Sequence, residues 1–162
     1  MSKEIERKYL VQSDCWRDNC ERSIRILQAY LANTEKTSVR IRLSDDRADL
    51  NIKSTYSLIE RDEYNYEIPW NEGRQMLESL CESKPLEKTR HIVQYADRIW
   101  EIDEFGGRNA GLIIAEIELG NASEEFEKPP WLGIEVTDFE RFYSHRLAHR
   151  PYLDWQVEER KT

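Results

Sequence analysis

The sequence has few of the features that direct a chain into a membrane or through a secretory route. It contains no apolar run long enough to cross a bilayer, and its opening residues, MSKEIERK, lack the apolar segment of a signal peptide. Its three cysteines, Cys15, Cys20 and Cys81, form no CxxC pair, which is typical of reduced thiols. We therefore expect a cytoplasmic protein with no membrane partner.

An excess of positive charge is also missing. The chain has 24 Lys and Arg against 32 Asp and Glu, which gives a net charge of -8. A surface of this sign does not attract nucleic acid non-specifically, so we expect no nucleic-acid partner. A basic cavity remains compatible with this balance, because local clustering decides what a cavity binds.

No internal repeat, low-complexity tract or interdomain linker divides the 162 residues. This length is near the common size of one domain and is sufficient to bury a core. We predict a single domain over residues 1–162.

Charged residues make up 35% of the chain, and their spacing indicates strands. Glu4, Glu6 and Lys8 occupy every second position of the run EIERKYLV. Because side chains alternate between the two faces of a strand, these three would project from one face. The same alternation recurs at residues 40–43, 51–53, 61–64 and 115–119.

Such alternation has two interpretations. An antiparallel sheet with one face in water produces it. However, like charges at positions i and i+2 repel each other unless a counter-charge offsets them. Acid pairs such as Glu116 and Glu118 would bind a divalent cation, and base pairs such as Arg40 and Arg42 would bind phosphate oxygens. The pattern therefore favours a site for a metal-bound phosphate compound.

The coarse pattern predicts an α+β protein built on eight strands, which can close into an antiparallel barrel with helices packed outside. The charged faces would line the interior, and two helical segments, 71–82 and 138–149, would cover the apolar outer face. The predicted strands are 3–11, 23–32, 37–44, 48–55, 60–68, 86–95, 98–105 and 111–119. The apolar residues expected on the outer face are Ile5, Tyr9, Val39, Ile41, Leu43, Ile52, Tyr64, Tyr66, Ile117 and Leu119.

Seven short motifs resemble the CYTH superfamily, also called triphosphate tunnel metalloenzymes. They are EIERKYL, VRIR, LNIK, RDE, EKTR, EID and AEIEL, which occur in the family's order between residues 1 and about 148. The resemblance implies an eight-stranded antiparallel tunnel that hydrolyses a triphosphate-containing small molecule with Mg2+ or Mn2+.

The resemblance also implies roles for individual residues. The acids Glu4 and Glu6 and the bases Lys8 and Lys88 would be catalytic. The bases that would hold the phosphate chain are Lys8, Arg40, Arg42, Lys53, Arg61, Lys88 and Arg90, with Arg141 near the tunnel mouth. The acids that would position metal ions are Glu4, Glu6, Glu63, Asp103, Glu116 and Glu118. Asn65 stands where many members carry a further acid, which would weaken one metal site.

Among the activities of the family, the sequence most resembles inorganic triphosphatases, which cleave tripolyphosphate to pyrophosphate and phosphate. A class IV type adenylate cyclase, a thiamine triphosphatase and a non-catalytic polyphosphate or nucleotide binding module are the alternatives. A homodimer is a further expectation. His145 and His149 have the i, i+4 spacing of a zinc pair, but without a third ligand nearby in the sequence they are expected on a helix surface.

Overall fold

The computed structural model describes residues 2–54 and 60–160, with side chains over residues 5–54 and 61–160. Within these residues there are nine strands and two α-helices. The helices are α1 (Trp70–Ser79) and α2 (Ser144–His149). The strands are β1 (Ser2–Val11), β2 (Cys20–Asn33), β3 (Thr37–Ser44), β4 (Arg47–Ser54), β5 (Glu60–Ile68), β6 (Leu86–Tyr95), β7 (Arg98–Phe105), β8 (Ile113–Glu118) and β9 (Leu132–Glu135).

The strands form one antiparallel sheet that returns on itself. Its order is β5-β4-β3-β2-β6-β7-β8-β1-β9, and β5 also pairs with β1. In that additional pairing Glu4 lies opposite Arg61, and Ile5 lies opposite Glu60. Each of the strands β1 to β8 therefore has at least two neighbours, as an antiparallel barrel requires, and β1 has three because it also pairs with β9.

The ninth strand, β9, is a feature that the sequence pattern did not predict. It pairs with the end of β1, where Val11 lies opposite Leu132 and Tyr9 opposite Glu135. Because β9 is only four residues long, the alternation of its side chains is too short to indicate a strand. The antiparallel fold is as predicted, but the strand count is nine rather than eight.

Helix α1 covers one part of the outer sheet face. Leu77 is buried in a cluster with Ile41, Leu43 and Ala48. The helix lies so close to β4 that a methyl group at Gly73 would come within 2.6 Å of the Ala48 Cβ. The prediction of a helix between the fifth and sixth strands is confirmed.

The rest of the outer face is covered differently from the prediction. Ile5, Tyr9 and Ile117 lie in a buried cluster with Trp16 and Trp131, which come from the 3-10 turn after β1 and the loop before β9. Helices are therefore not the main cover here. Large aromatic rings on irregular segments bury this surface instead.

Two expected outer residues, Tyr64 and Tyr66, remain uncovered, with 39% and 54% of their surface exposed. Tyrosine tolerates this position because its hydroxyl can stay hydrated while the ring lies on the sheet.

The C-terminal helical segment was expected as outer cover but instead lies across one end of the barrel. It contains a 3-10 turn at Glu140–Phe142 followed by the six-residue α2. Phe142, Leu147 and Trp155 share a buried cluster with residues from β6, β7 and β8, namely Leu86, Phe105 and Ile114. Each of these three lies two positions from an inward-facing charged residue of its strand, namely Lys88, Asp103 and Glu116, so they face the interior. We call residues 142–147 the plug.

Across the described residues, no helix is both long enough and apolar enough to span a membrane.

Candidate active site

The inward faces of the strands enclose one charged cavity of about 190 Å³. All seven bases expected to bind phosphate lie in its wall: Lys8, Arg40, Arg42, Lys53, Arg61, Lys88 and Arg90. Of the acids whose side chains the structure describes, five share the same wall: Glu6, Glu63, Glu101, Glu116 and Glu118. The charged strand faces therefore converge on an enclosed space and are not spread over a solvated face.

The basic residues of the cavity lie close enough together to lower the pKa of one of them. The charge of Arg40, followed by burial and the charge of Arg90, lowers the pKa of Arg42 to about 10. The Nε atoms of Arg40 and Arg42 are buried and have no hydrogen-bond partner among the described residues. Since buried polar groups are nearly always satisfied, these donors indicate room for an anionic ligand.

Lys88 is deeply buried, with a side chain that is 2% exposed. Burial lowers its pKa to about 8; the Asp103 carboxylate opposes this shift, whereas the charge of Arg90 adds to it. An added anion would stabilise its ammonium form.

The acids form like-charged pairs across neighbouring strands. Glu6 lies opposite Glu118 between β1 and β8, and Glu101 lies opposite Glu116 between β7 and β8. Such pairs are unfavourable unless a cation lies between them.

Lys8 supplies part of this compensation. Its Nζ lies 2.8 Å from Glu6 Oε1 and 2.5 Å from Glu116 Oε1. Burial disfavours its ammonium, but the two carboxylates outweigh burial and raise the pKa of Lys8. The pKa of Glu116 is held well below its usual range, because Lys8 and Arg90 outweigh the effect of burial.

Asp103 was expected to be a metal ligand, and its position differs from that expectation. Its side chain is fully buried, and both carboxylate oxygens accept hydrogen bonds from bases. Arg90 donates from Nε to Oδ1 and from Nη2 to Oδ2, both at 2.7 Å, and Lys88 Nζ also donates to Oδ2. Asp103 is absent from the residues that line the cavity in the described structure. It holds two bases in place from behind the wall.

Glu4 and Arg141 complete the set of expected site residues. The side chain of Glu4 lies outside the described residues. The guanidinium carbon of Arg141 lies 5.1 Å from the ring centres of Phe139 and Phe142 and 5.7 Å from that of Trp155. Arg141 is not among the residues that line the cavity in the described structure; it packs against these three aromatic rings instead of lying at a tunnel mouth.

Asn65 joins a hydrogen-bonded chain instead of contributing charge. Its Oδ1 accepts a bond from Asn51 Nδ2 at 3.3 Å, and its Nδ2 donates to Asp49 Oδ1 at 3.3 Å. Asn51 also donates to Glu63. The amide thus helps to orient the nearby Glu63 carboxylate, whose side chain borders the cavity.

Six lining residues were missed by the sequence analysis: Tyr30, Ser38, Glu101, Tyr143, Ser144 and His145. Glu101 lies two positions before Asp103, and Ser38 lies two positions before Arg40, so strand alternation could have identified both. The plug residues gave no such signal, because their position depends on how the chain crosses the barrel end.

The donor set fits a hard divalent cation in its chemistry. The cavity presents carboxylate oxygens from Glu6, Glu63, Glu116 and Glu118, which are the ligands that Mg2+ and Mn2+ prefer. Among the described side chains, however, no three of His, Cys, Asp or Glu form a ready-made metal cluster. Lys8 contacts Glu6 and Glu116, and Asn51 donates to Glu63, so a cation bound here would share these carboxylates with them.

Comparison with known proteins places the chain in a family. The model of the CYTH domain matches residues 2–145. An inorganic triphosphatase of Acetivibrio thermocellus is 40% identical over 156 residues, which are 96% of this chain and 99% of that protein. An inorganic triphosphatase of Nitrosomonas europaea is 32% identical over 149 residues, which are 90% of this chain and 96% of that protein.

A solved structure agrees with the architecture. The crystal structure of the inorganic triphosphatase NE1496 superposes with a TM-score of 0.66 and 29% identity, covering 91% of this chain and 95% of that one. With its motifs, its antiparallel fold and this family match, the chain belongs to the CYTH domain family.

Proposed function

We propose that this chain hydrolyses inorganic tripolyphosphate to pyrophosphate and phosphate with the help of Mg2+ or Mn2+. The observation that carries the proposal is a cavity in which, among the described side chains, seven bases and five acids face one another. The names of the two relatives, at 40% and 32% identity over nearly the whole chain, support the same activity.

The bases would bind the phosphate chain. Arg40 and Arg42 are adjacent on the inner face of β3 and can donate paired N–H groups to phosphate oxygens. Lys88 and Arg90 approach from β6 with their directions fixed by Asp103. Holding the chain from several sides fixes the phosphorus atom for in-line attack by water.

The acids would hold the metal. Mg2+ or Mn2+ bound by Glu6, Glu116 and Glu118 would neutralise phosphate charge and lower the pKa of a bound water. Lys8, which lies between Glu6 and Glu116, would keep the two carboxylates close together and contribute positive charge beside the phosphate chain. In the reaction, the water oxygen bonds to phosphorus, the phosphoanhydride bond breaks, and the water protons pass to phosphate products and solvent.

The size of the cavity favours a compact inorganic chain. Its volume of about 190 Å³ is below the range of roughly 300–1,000 Å³ that is typical for pockets that enclose drug-sized organic ligands. A nucleoside would have to remain outside it. We therefore favour tripolyphosphate over ATP or thiamine triphosphate as the substrate.

The proposal is tested by phosphate release from a substrate panel of tripolyphosphate, ATP, thiamine triphosphate and long-chain polyphosphate, with Mg2+, with Mn2+ and with excess EDTA. We expect tripolyphosphate to be cleaved fastest and EDTA to abolish the reaction. Full activity in EDTA would contradict the metal role, and comparable formation of cyclic AMP from ATP would favour a cyclase.

A variant pair links that activity to the cavity. Arg42→Ala should lower kcat/KM by about 100-fold, because it removes a preorganised donor from the phosphate site. Arg74→Ala, on the exposed face of α1, is the matched control and should behave as wild type. Equal kinetics for the two variants would remove Arg42 from the site.

A further inference from the structure

The plug places an imidazole in the charged cavity. His145 lines the wall, with its ring centre 6.4 Å from that of Tyr30 and 6.2 Å from that of Tyr143. From the sequence, both His145 and His149 are expected on a helix surface, and His149 is indeed exposed. Instead His145 is partly buried, and its side chain faces the space assigned to phosphate.

Among the described side chains, the imidazole has no polar partner. Within residues 5–54 and 61–160, no side chain forms a hydrogen bond or ion pair with His145. The charged groups around it are Arg61 on β5, Glu140 before the plug, and Arg146 and His149 on its own helix. Burial, followed by the charges of Arg146 and Arg61, lowers the pKa of His145 to about 4, so the ring is neutral at pH 7. A neutral imidazole has one N–H donor to offer to an anion.

The position of the plug indicates which part of a substrate this donor would meet. Phe142 and Leu147 belong to the apolar cluster that fills the barrel end, whereas Glu118 and the 42% exposed side chain of Glu101 open to solvent. A phosphate chain that enters past the acids would therefore reach the plug with its leading end. Because buried apolar side chains fill this end of the barrel, we expect that leading end to be an unsubstituted phosphoryl group.

We propose that His145 is a specificity-determining residue that donates a hydrogen bond to the terminal phosphoryl group of the substrate at the plugged end of the cavity. This inference rests on the proposed triphosphatase function. Recognition of a free phosphate terminus would then fall to the plug, whose neutral donor avoids the repulsion that a further cation would meet from Arg146 and Arg61.

A packing role is the competing explanation, because the ring lies between two tyrosines. Two variants separate the roles. His145→Phe keeps an aromatic ring against Tyr30 and Tyr143 but has no donor, whereas His145→Gln keeps an N–H donor and loses the ring. His149→Gln, on the exposed side of the same helix, is the matched control.

The test measures kcat and KM of all four proteins for tripolyphosphate with Mn2+ or Mg2+, together with their melting temperatures. We expect His145→Phe to raise KM by about tenfold or more, since a hydrogen bond to a charged group is lost, while kcat changes much less. His145→Gln should recover most of that loss, and His149→Gln should match wild type. A KM for His145→Phe equal to that of His149→Gln would overturn the proposal, as would equal losses in the Phe and Gln variants.

A second substrate checks the role of the free terminus. A dinucleoside triphosphate, which has nucleosides at both ends of its phosphate chain, should not be cleaved, and its hydrolysis at a rate comparable to tripolyphosphate would contradict a closed terminal site. If the wild-type protein cleaves tripolyphosphate but His145→Phe is unaffected, only the inference fails. If the wild type cleaves none of the panel substrates, the proposed function fails and the inference falls with it.

Discussion

At the scale of single residues, the site is a balance between charges that repel and charges that compensate. Arg42 and Lys88 have lowered pKa values, whereas Lys8 has a raised pKa. The difference follows from their neighbours. Lys8 lies between two carboxylates, Arg42 lies beside other cations, and Lys88 shares Asp103 with Arg90. The basic part of the cavity therefore lacks negative charge that a polyphosphate can supply.

This balance predicts that kcat/KM falls at alkaline pH because Lys88 loses its proton. Because its pKa in the folded protein is lowered to about 8, the ammonium loses its proton as the pH rises through that value. If this charge helps to bind phosphate, kcat/KM should fall above about pH 8, since kcat/KM reports the free enzyme. Bound substrate favours the ammonium, so kcat should decline only at higher pH.

The matched variant is Lys88→Arg, which keeps the positive charge throughout this range because a guanidinium does not deprotonate. We expect its alkaline decline in kcat/KM to disappear or move upward. An identical alkaline decline in both proteins would show that another group causes it.

At the scale of the elements, regular strands were predictable and irregular segments were not. The inner charged residues of β1, β3, β6 and β8 repeat every second position, and this period follows from strand geometry alone. Their convergence on one cavity agrees with the expectation. The plug has no comparable period, so neither its place at the barrel end nor the contact between His145 and the cavity could be derived from spacing.

Asp103 shows a different limit of sequence reasoning. Alternation correctly places it on the inner face of β7, but a face contains both residues that reach the cavity and residues behind them. Its carboxylate forms ion pairs with Lys88 and Arg90. Glu101, two positions earlier, reaches the cavity wall. Whether an inner side chain reaches the cavity depends on the strand register, which the sequence does not reveal.

The packing of α1 on β4 gives a test at this scale. In an exposed helix interior, replacing Gly with Ala stabilises the protein by about 1 kcal/mol. Gly73→Ala should instead destabilise by about 1–3 kcal/mol, because its methyl group would overlap Ala48 at 2.6 Å. The measurement is the free energy of unfolding in urea.

The control for that test is Gln75→Ala, at an exposed position of the same helix. It should be neutral or slightly stabilising. A stability for Gly73→Ala at or above that of wild type would show that α1 does not pack this closely on β4.

At the scale of the whole molecule, a net charge of -8 coexists with a cavity whose wall contains seven bases. The barrel makes this possible, because it separates an acidic exterior from a mixed interior. The acids and bases inside are also grouped, with the acid pairs on β1, β7 and β8 and most of the bases on β3 to β6. This grouping is the arrangement expected for a cation and a polyphosphate that bind together.

The most direct test of this account is a crystal structure of the protein with Mn2+ and tripolyphosphate, in which anomalous scattering locates the metal. We predict a phosphate chain inside the barrel in contact with Arg40, Arg42 and Lys88, and Mn2+ bound by Glu6, Glu116 or Glu118. A phosphate chain bound only on the outer surface, with the cavity filled by water alone, would contradict the account.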